Sequence, residues 1–153
     1  PIPLLILLIV SLPWGLTLFQ EPLNYTQMKT AGRTAVVYFT LAFVLYPFLL
    51  SIQKLPSGKM TSFLVQFTRR YIRFHVPAAM IGVLFILPHA GWMGYTLPIT
   101  NFYTLTGYVT SFALVGVLFT GYLRSQKSSG KRRTFHRNTS LLFVVLLLVH
   151  MLG

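Results

Sequence analysis

Long apolar runs separated by short polar connectors dominate the chain. A bilayer core needs about 20 apolar residues per helix, and five runs reach or approach that length. Because a lipid-exposed open sheet cannot satisfy its backbone hydrogen bonds in hydrocarbon, the runs predict an all-α integral membrane bundle of about five transmembrane helices. The predicted helices cover residues 2–19, 34–52, 71–93, 103–123 and 135–152, and we expect them to form a single transmembrane domain over residues 1–153.

The composition excludes an ordinary water-soluble domain. Of the 153 residues, 54% are hydrophobic and only 9% are charged, against roughly 25% charged in a typical soluble domain. A net charge of +12 would suit a nucleic-acid partner, but the basic residues lie in the connectors between apolar runs, as in membrane proteins. We therefore expect a lipid bilayer and no nucleic acid as the partner of this surface.

The basic residues also predict an orientation. The connector 53–73, counted with its flanking helix ends, holds five Lys and Arg, and the connector 124–137 holds six. The connector 20–33 holds two, and 90–102 holds none. The positive-inside rule then places 53–73 and 124–137 in the cytoplasm and the C-terminus outside, in a plasma or inner membrane.

The four histidines form the clearest pattern of candidate chemistry. His75 and His89 lie on the third predicted helix, and His136 and His150 lie on the fifth with the same separation along the sequence. That separation is nearly four helical turns, or about 21 Å along the axis, so each pair shares one helix face. Because these two helices run parallel, His75 lies level with His136 and His89 lies level with His150.

Two facing imidazoles at each of two depths favour two b-type haems. A haem supplies four equatorial nitrogens and needs only two axial donors, whereas structural zinc wants four protein ligands. Copper sites are helped by cysteine, and the chain has no cysteine. A chlorophyll-type pigment also accepts a single histidine but does not require matched pairs. We therefore predict His75, His89, His136 and His150 as iron ligands.

Two arginines and several small residues also fit the haem prediction, although each has a second explanation. Arg73 and Arg137 each lie within two residues of a predicted ligand, and arginine pairs well with carboxylates such as haem propionates. Topology alone also explains their charge. Between His75 and His89 the same face carries small residues, which either leave room for a flat macrocycle or serve close helix packing.

Three segments carry a resemblance to a known family. Residues 30–35, Thr-Ala-Gly-Arg-Thr-Ala, open a helix that reaches Pro47. Arg69-Arg70 precede a helix that ends near Pro88-His89, and Phe135-His136-Arg137 is followed by His150. In order and spacing, these segments are similar to the motifs of the ferric reductase-like transmembrane domain, which includes NADPH oxidases, ferric reductases and the haem-binding membrane subunit of the methionine sulfoxide reductase system.

The resemblance implies transmembrane electron transfer through bis-histidine haems. Enzymes of that family carry flavin and nicotinamide sites in a further domain, whereas no G-x-G-x-x-G motif or flavin site occurs in this sequence. We expect an electron-transfer subunit rather than an autonomous oxidoreductase, working with a redox partner protein or a larger membrane complex. The sequence leaves open the donor, the acceptor and whether a quinol binds.

Two other functions remain alternatives at this stage. One is a structural or pigment-binding subunit of a larger membrane complex, in which histidines hold cofactors without redox turnover. The other is a proton or metal transporter, because ionisable residues inside a membrane are functional by default. The absorption spectrum of the pure protein separates all three functions.

Overall fold

The computed structural model describes residues 12, 24–44, 46–48, 52, 56, 58–127 and 129–153. Within these residues the chain forms helices and no strand, which confirms the all-α prediction. The helices are α1 (Tyr25–Phe43), α2 (Lys59–Thr96), α3 (Phe102–Gln126) and α4 (Gly130–Leu152). The helix predicted over 2–19 lies outside the described residues, apart from residue 12.

Helix α1 begins nine residues before the predicted start at residue 34, so much of the predicted connector 20–33 is helical. A capping box sets this start. The Asn24 side chain accepts a hydrogen bond from the Gln27 backbone N–H at 3.0 Å, and the Gln27 side chain accepts one from the Asn24 N–H at 3.1 Å. These reciprocal bonds satisfy two of the donors that every helix leaves unpaired at its N-terminus. Lys29 and Arg33 therefore lie on a helix.

Helix α2 is longer than predicted, with 38 residues instead of the 23 expected over 71–93. The apolar segment 63–67 is part of this continuous helix rather than a separate element. Pro77 and Pro88 lie inside it. Helix α3 extends one residue earlier and three residues later than predicted. Helix α4 starts five residues early, because the Ser129 side chain accepts from the Arg132 N–H and caps it.

The described helices belong to a membrane protein. Four of them are long and apolar enough to cross a bilayer. Many of their large apolar side chains face outward, among them Phe112 at 79% exposure and Val115 at 63%. A soluble protein rarely exposes contiguous apolar surface on this scale, whereas lipid tails cover such surface without cost.

The chain divides into two compact units, residues 1–89 and 90–153. In the first unit, α1 runs antiparallel to the part of α2 that ends at His89. Its buried residues include Ala31 and Ala35 of α1 and Ile81 of α2. Tyr38 of α1 stacks on Phe85 of α2 with ring centroids 6.0 Å apart, so an aromatic contact joins the two helices.

In the second unit, α3 and α4 form an antiparallel hairpin. The Thr110 hydroxyl, which lies 2.7 Å from the Thr106 carbonyl of its own helix, also lies 3.2 Å from the Leu146 carbonyl midway along the pair. At the connector, the Arg132 guanidinium donates to the Leu123 carbonyl at 2.6 Å, in addition to the Lys127 N–H that reaches the same carbonyl at 3.3 Å. Phe143 is the buried residue of α4. The hairpin register brings the α4 histidines beside polar residues of α3.

Candidate functional site

The two histidines of the first unit are anchored to backbone carbonyls of α1. His75 Nδ1 lies 2.8 Å from the Ala42 carbonyl oxygen, and His89 Nδ1 lies 2.8 Å from the Met28 carbonyl oxygen. A carbonyl oxygen can only accept a hydrogen bond. Each Nδ1 therefore carries a proton and donates it to α1.

The two histidines of the second unit are anchored to threonine hydroxyls of α3. His136 Nδ1 lies 3.1 Å from Thr120 Oγ1, and His150 Nδ1 lies 3.1 Å from Thr106 Oγ1. Each hydroxyl has one proton and already donates it within α3: Thr120 to the Val117 carbonyl at 3.0 Å, and Thr106 to the Phe102 carbonyl at 2.8 Å. Because a hydroxyl proton that is donated within α3 is not available to the ring, we assign each threonine as the acceptor and each histidine as the Nδ1 donor.

All four partly buried imidazoles are thus anchored through Nδ1, two by backbone carbonyls and two by threonine hydroxyls. In a neutral ring with its proton on Nδ1, the basic lone pair resides on Nε2. A hydrogen bond from the other ring nitrogen is also what orients metal-ligating histidines and raises their basicity. The arrangement makes His75, His89, His136 and His150 suitable as Nε2 ligands.

The partners of the histidines repeat the spacing of the histidines themselves. The carbonyls of Met28 and Ala42 on α1 are separated along the sequence by the same interval as His75 and His89. The hydroxyls of Thr106 and Thr120 on α3 are separated by that interval as well. Since both helix pairs are antiparallel, one register holds over about four turns in each unit. Each unit therefore presents two anchored imidazoles about 21 Å apart along a helix.

Glycines bring three of these rings close to the neighbouring helix. A Cβ added at Gly32 would lie 2.7 Å from His89 Nδ1. A Cβ at Gly107 would lie 3.2 Å from His150 Cε1, and one at Gly121 would lie 3.3 Å from His136 Cε1. Carbon atoms in comfortable contact are about 3.5–4.0 Å apart, so the ring positions depend on the absence of a side chain there.

The remaining residues that the sequence suggested are not among the hydrogen-bond partners described above. Arg73 is exposed on α2, and exposed Arg137 donates from Nε to the Asn138 side chain at 3.3 Å. Gly82, one of the small residues between His75 and His89, serves close packing, because a Cβ there would lie 2.7 Å from the Phe39 ring. That outcome agrees with the helix-packing alternative for this position.

Two buried hydroxyls have no hydrogen-bond partner among the described residues. They belong to Thr68 and Thr104, each 7% exposed. Thr68 lies about two turns before His75 on α2, and Thr104 lies just before Thr106 on α3. An unpaired buried hydroxyl costs roughly 1–3 kcal/mol, so each is suited to a bound group that offers an acceptor oxygen.

The sequence contained a signal for the threonines that the sequence analysis missed. The tripeptide Thr-Gly-Tyr occurs at residues 106–108 and again at 120–122, with the same spacing as the histidines. It supplies the hydroxyl that accepts from the ring and the glycine against which the ring lies. The carbonyls of Met28 and Ala42 had no such signal, because any residue at those positions carries the same acceptor.

Within the described part of the chain, no group of three or more His, Cys, Asp or Glu side chains lies close enough to hold a metal ion. Comparison of the chain with models of protein families, with curated proteins and with solved structures finds no match. The candidate site therefore rests on the four anchored histidines and their spacing.

Proposed function

We propose that this chain is a membrane dihaem cytochrome of the b type, which carries electrons across the bilayer between a donor on one side and an acceptor on the other. The observation that carries the proposal is the common anchoring of His75, His89, His136 and His150, whose Nδ1 atoms each lie 2.8 or 3.1 Å from a carbonyl or hydroxyl oxygen. A neutral ring that donates from Nδ1 to such an oxygen has its lone pair on Nε2.

The donor set fits haem better than other cofactors. Haem iron brings its own equatorial nitrogens and needs axial donors only, which neutral imidazoles supply through Nε2. The chain has no cysteine, and its one acidic residue is Glu21, so zinc or copper sites with thiolate or several carboxylate ligands cannot be assembled from it. A bound haem would supply one-electron redox chemistry.

The chain's own residues would bind and orient the cofactor. The backbone and threonine anchors hold the imidazole rings in one tautomer and limit their rotation. Arg73 and Arg137 are the proposed partners of haem propionates. The unused donors of Thr68 and Thr104 suit a carboxylate as well. Apolar residues around a bound haem would exclude water, and that environment would help set the reduction potential.

Pairing and orientation are proposed from the sequence alone. The spacing pairs His75 with His136 near the cytoplasmic face and His89 with His150 near the outer face of a plasma or inner membrane. The connectors 53–73 and 124–137 are then cytoplasmic, and the C-terminus is outside. With no nicotinamide or flavin motif in the sequence, the chain acts as a relay that receives electrons from a redox partner or from a quinol.

An absorption spectrum tests the proposal directly. The chain purified in detergent from a haem-replete host should show b-type bands after dithionite reduction, and pyridine haemochrome quantitation should give two haems per chain. His75→Ala and His136→Ala should each remove the same haem, and His89→Ala and His150→Ala the other. The matched control is Ser140→Ala on α4, whose hydroxyl bonds only its own helix at the His136 carbonyl and whose loss should leave both haems.

The alternatives predict different absorption spectra. Chlorin bands in the protein from its native membrane would replace the proposal with a pigment-binding subunit. A colourless protein, despite haem-replete expression and an intact helical circular dichroism spectrum, would favour a transporter.

A further inference from the structure

The two units anchor their histidines differently, and only one kind of anchor depends on a side chain. In the first unit, the acceptors are the carbonyls of Met28 and Ala42, which every residue possesses. In the second unit, the acceptors are the hydroxyls of Thr106 and Thr120. The orientation and basicity of His136 and His150 therefore depend on the side chains of Thr106 and Thr120, which are not proposed as iron ligands themselves.

The two threonine hydroxyls are suited to accept from the imidazoles because each can donate its own proton to a carbonyl of α3. Thr106 and Thr120 each donate to a carbonyl of α3 and are therefore held as acceptors toward the imidazole. Thr120 is 3% exposed, so water does not readily replace it. Without the hydroxyl, the Nδ1–H of the ring would lose its acceptor in apolar surroundings.

The glycine after each threonine completes the arrangement. Gly107 and Gly121 allow the His150 and His136 rings to lie against α3, where a Cβ would come within 3.2 and 3.3 Å of Cε1. The hydroxyl that accepts from each ring and the glycine against which that ring lies are therefore adjacent residues of α3. The repeated tripeptide therefore acts as a unit that fixes both the position and the tautomer of each ring.

We propose that Thr106 and Thr120 are positioning residues that set the reduction potentials of the two haems independently, Thr120 through His136 and Thr106 through His150. This inference rests on the proposed function. Donation from Nδ1–H raises the electron density of the imidazole and favours ferric iron. Removing the acceptor should therefore favour ferrous iron and raise the midpoint potential of one haem.

The test is a spectroelectrochemical titration of the holoprotein with Thr120→Val and Thr106→Val. Each substitution keeps the side-chain shape and removes the hydroxyl. We expect the equilibrium constant for reduction of one haem to rise by about threefold to tenfold, the upper value corresponding to about 59 mV for one electron. Thr120→Val should shift the haem that is lost in His136→Ala, and Thr106→Val the haem that is lost in His150→Ala.

Thr110→Val is the matched control on the same helix. Its buried hydroxyl lies 2.7 Å from the Thr106 carbonyl and 3.2 Å from the Leu146 carbonyl, and its loss should leave both potentials unchanged. Two haems with potentials that do not respond to Thr106→Val and Thr120→Val would overturn the positioning role while leaving the proposed function standing. A wild-type chain that binds no haem would instead defeat the proposed function.

A conservative variant covers the case in which a valine variant loses haem or folds poorly. Thr120→Ser and Thr106→Ser retain the hydroxyl and should keep both haems and the wild-type potentials. Loss of haem in a valine variant with retention in its serine variant supports the role of the hydroxyl. Equal loss in the serine variant would refute it, because the acceptor is still present there.

Discussion

Gly32→Ala is the substitution with the sharpest expected effect on a histidine of the first unit. The added methyl would lie 2.7 Å from His89 Nδ1 and 2.8 Å from Cε1, whereas ordinary contacts are about 3.5–4.0 Å. The ring must therefore retreat by about 1 Å. The Met28 carbonyl belongs to the same turn of α1, so this retreat also stretches the 2.8 Å hydrogen bond beyond about 3.5 Å, where it is no longer a bond.

We expect Gly32→Ala to weaken haem binding more than it changes the free energy of unfolding. Losing the hydrogen bond costs about 0.5–1.5 kcal/mol, and replacing a helical glycine by alanine gains about 1 kcal/mol, so the two nearly cancel in the free energy of unfolding. Loss of such an orienting partner typically lowers metal affinity by about 10- to 100-fold. We therefore expect weaker binding of the haem that His89 ligates, at nearly unchanged thermal stability.

The assay is haem retention during transfer to apomyoglobin, measured for each haem by its absorption band, alongside a thermal melt of the chain. Gly91→Ala is the control, because Gly91 is also a helical glycine, lies on α2 two residues from His89, and would place its added methyl where nothing lies within 4 Å. If Gly32→Ala retains both haems as tightly as Gly91→Ala does, the close approach of ring and glycine has no part in ligation and the reasoning is wrong.

Three further predictions follow from other features. Arg132→Gln should lower the free energy of unfolding by about 1.5–3 kcal/mol, since a charged donor to the Leu123 carbonyl is lost. Arg133→Gln, at an exposed position, should change the free energy of unfolding little. Equal melting curves for both variants would contradict the capping role of Arg132. Single cysteines at residues 57 and 128 should resist an impermeant thiol reagent applied from outside while one at residue 96 reacts, and the reverse pattern would invert the proposed orientation. The purified holoprotein should not oxidise NADH or NADPH, with or without added flavin, and rapid haem reduction by either nucleotide alone would refute the relay.

The hydropathy pattern predicted the helical class correctly but placed the helix starts too late. Counting apolar residues gave no weight to Lys29 and Arg33, so the first turns of α1 were assigned to a connector. The capping box of Asn24 and Gln27 was present in the sequence as an Asn-x-x-Gln signal. Helix starts were therefore predictable from capping chemistry where hydropathy failed.

The candidate site was predictable only in part, for a physical reason. Equal spacing of the histidines identified His75, His89, His136 and His150 because side-chain identity carries that pattern. It could not identify the α1 anchors, since a backbone carbonyl leaves no trace in the sequence. The α3 anchors were within reach, because the Thr-Gly-Tyr repeat shares the histidine spacing and is visible by eye.

The fixed register of each helix pair restricts how the chain can change its length. Inserting one residue between Thr106 and Thr120 would rotate one threonine by about 100° and shift it by about 1.5 Å relative to the other. Only one histidine of α4 could then keep its partner, unless α4 gained a residue between His136 and His150 as well. An unmatched insertion or deletion inside these segments therefore breaks at least one of the two anchors.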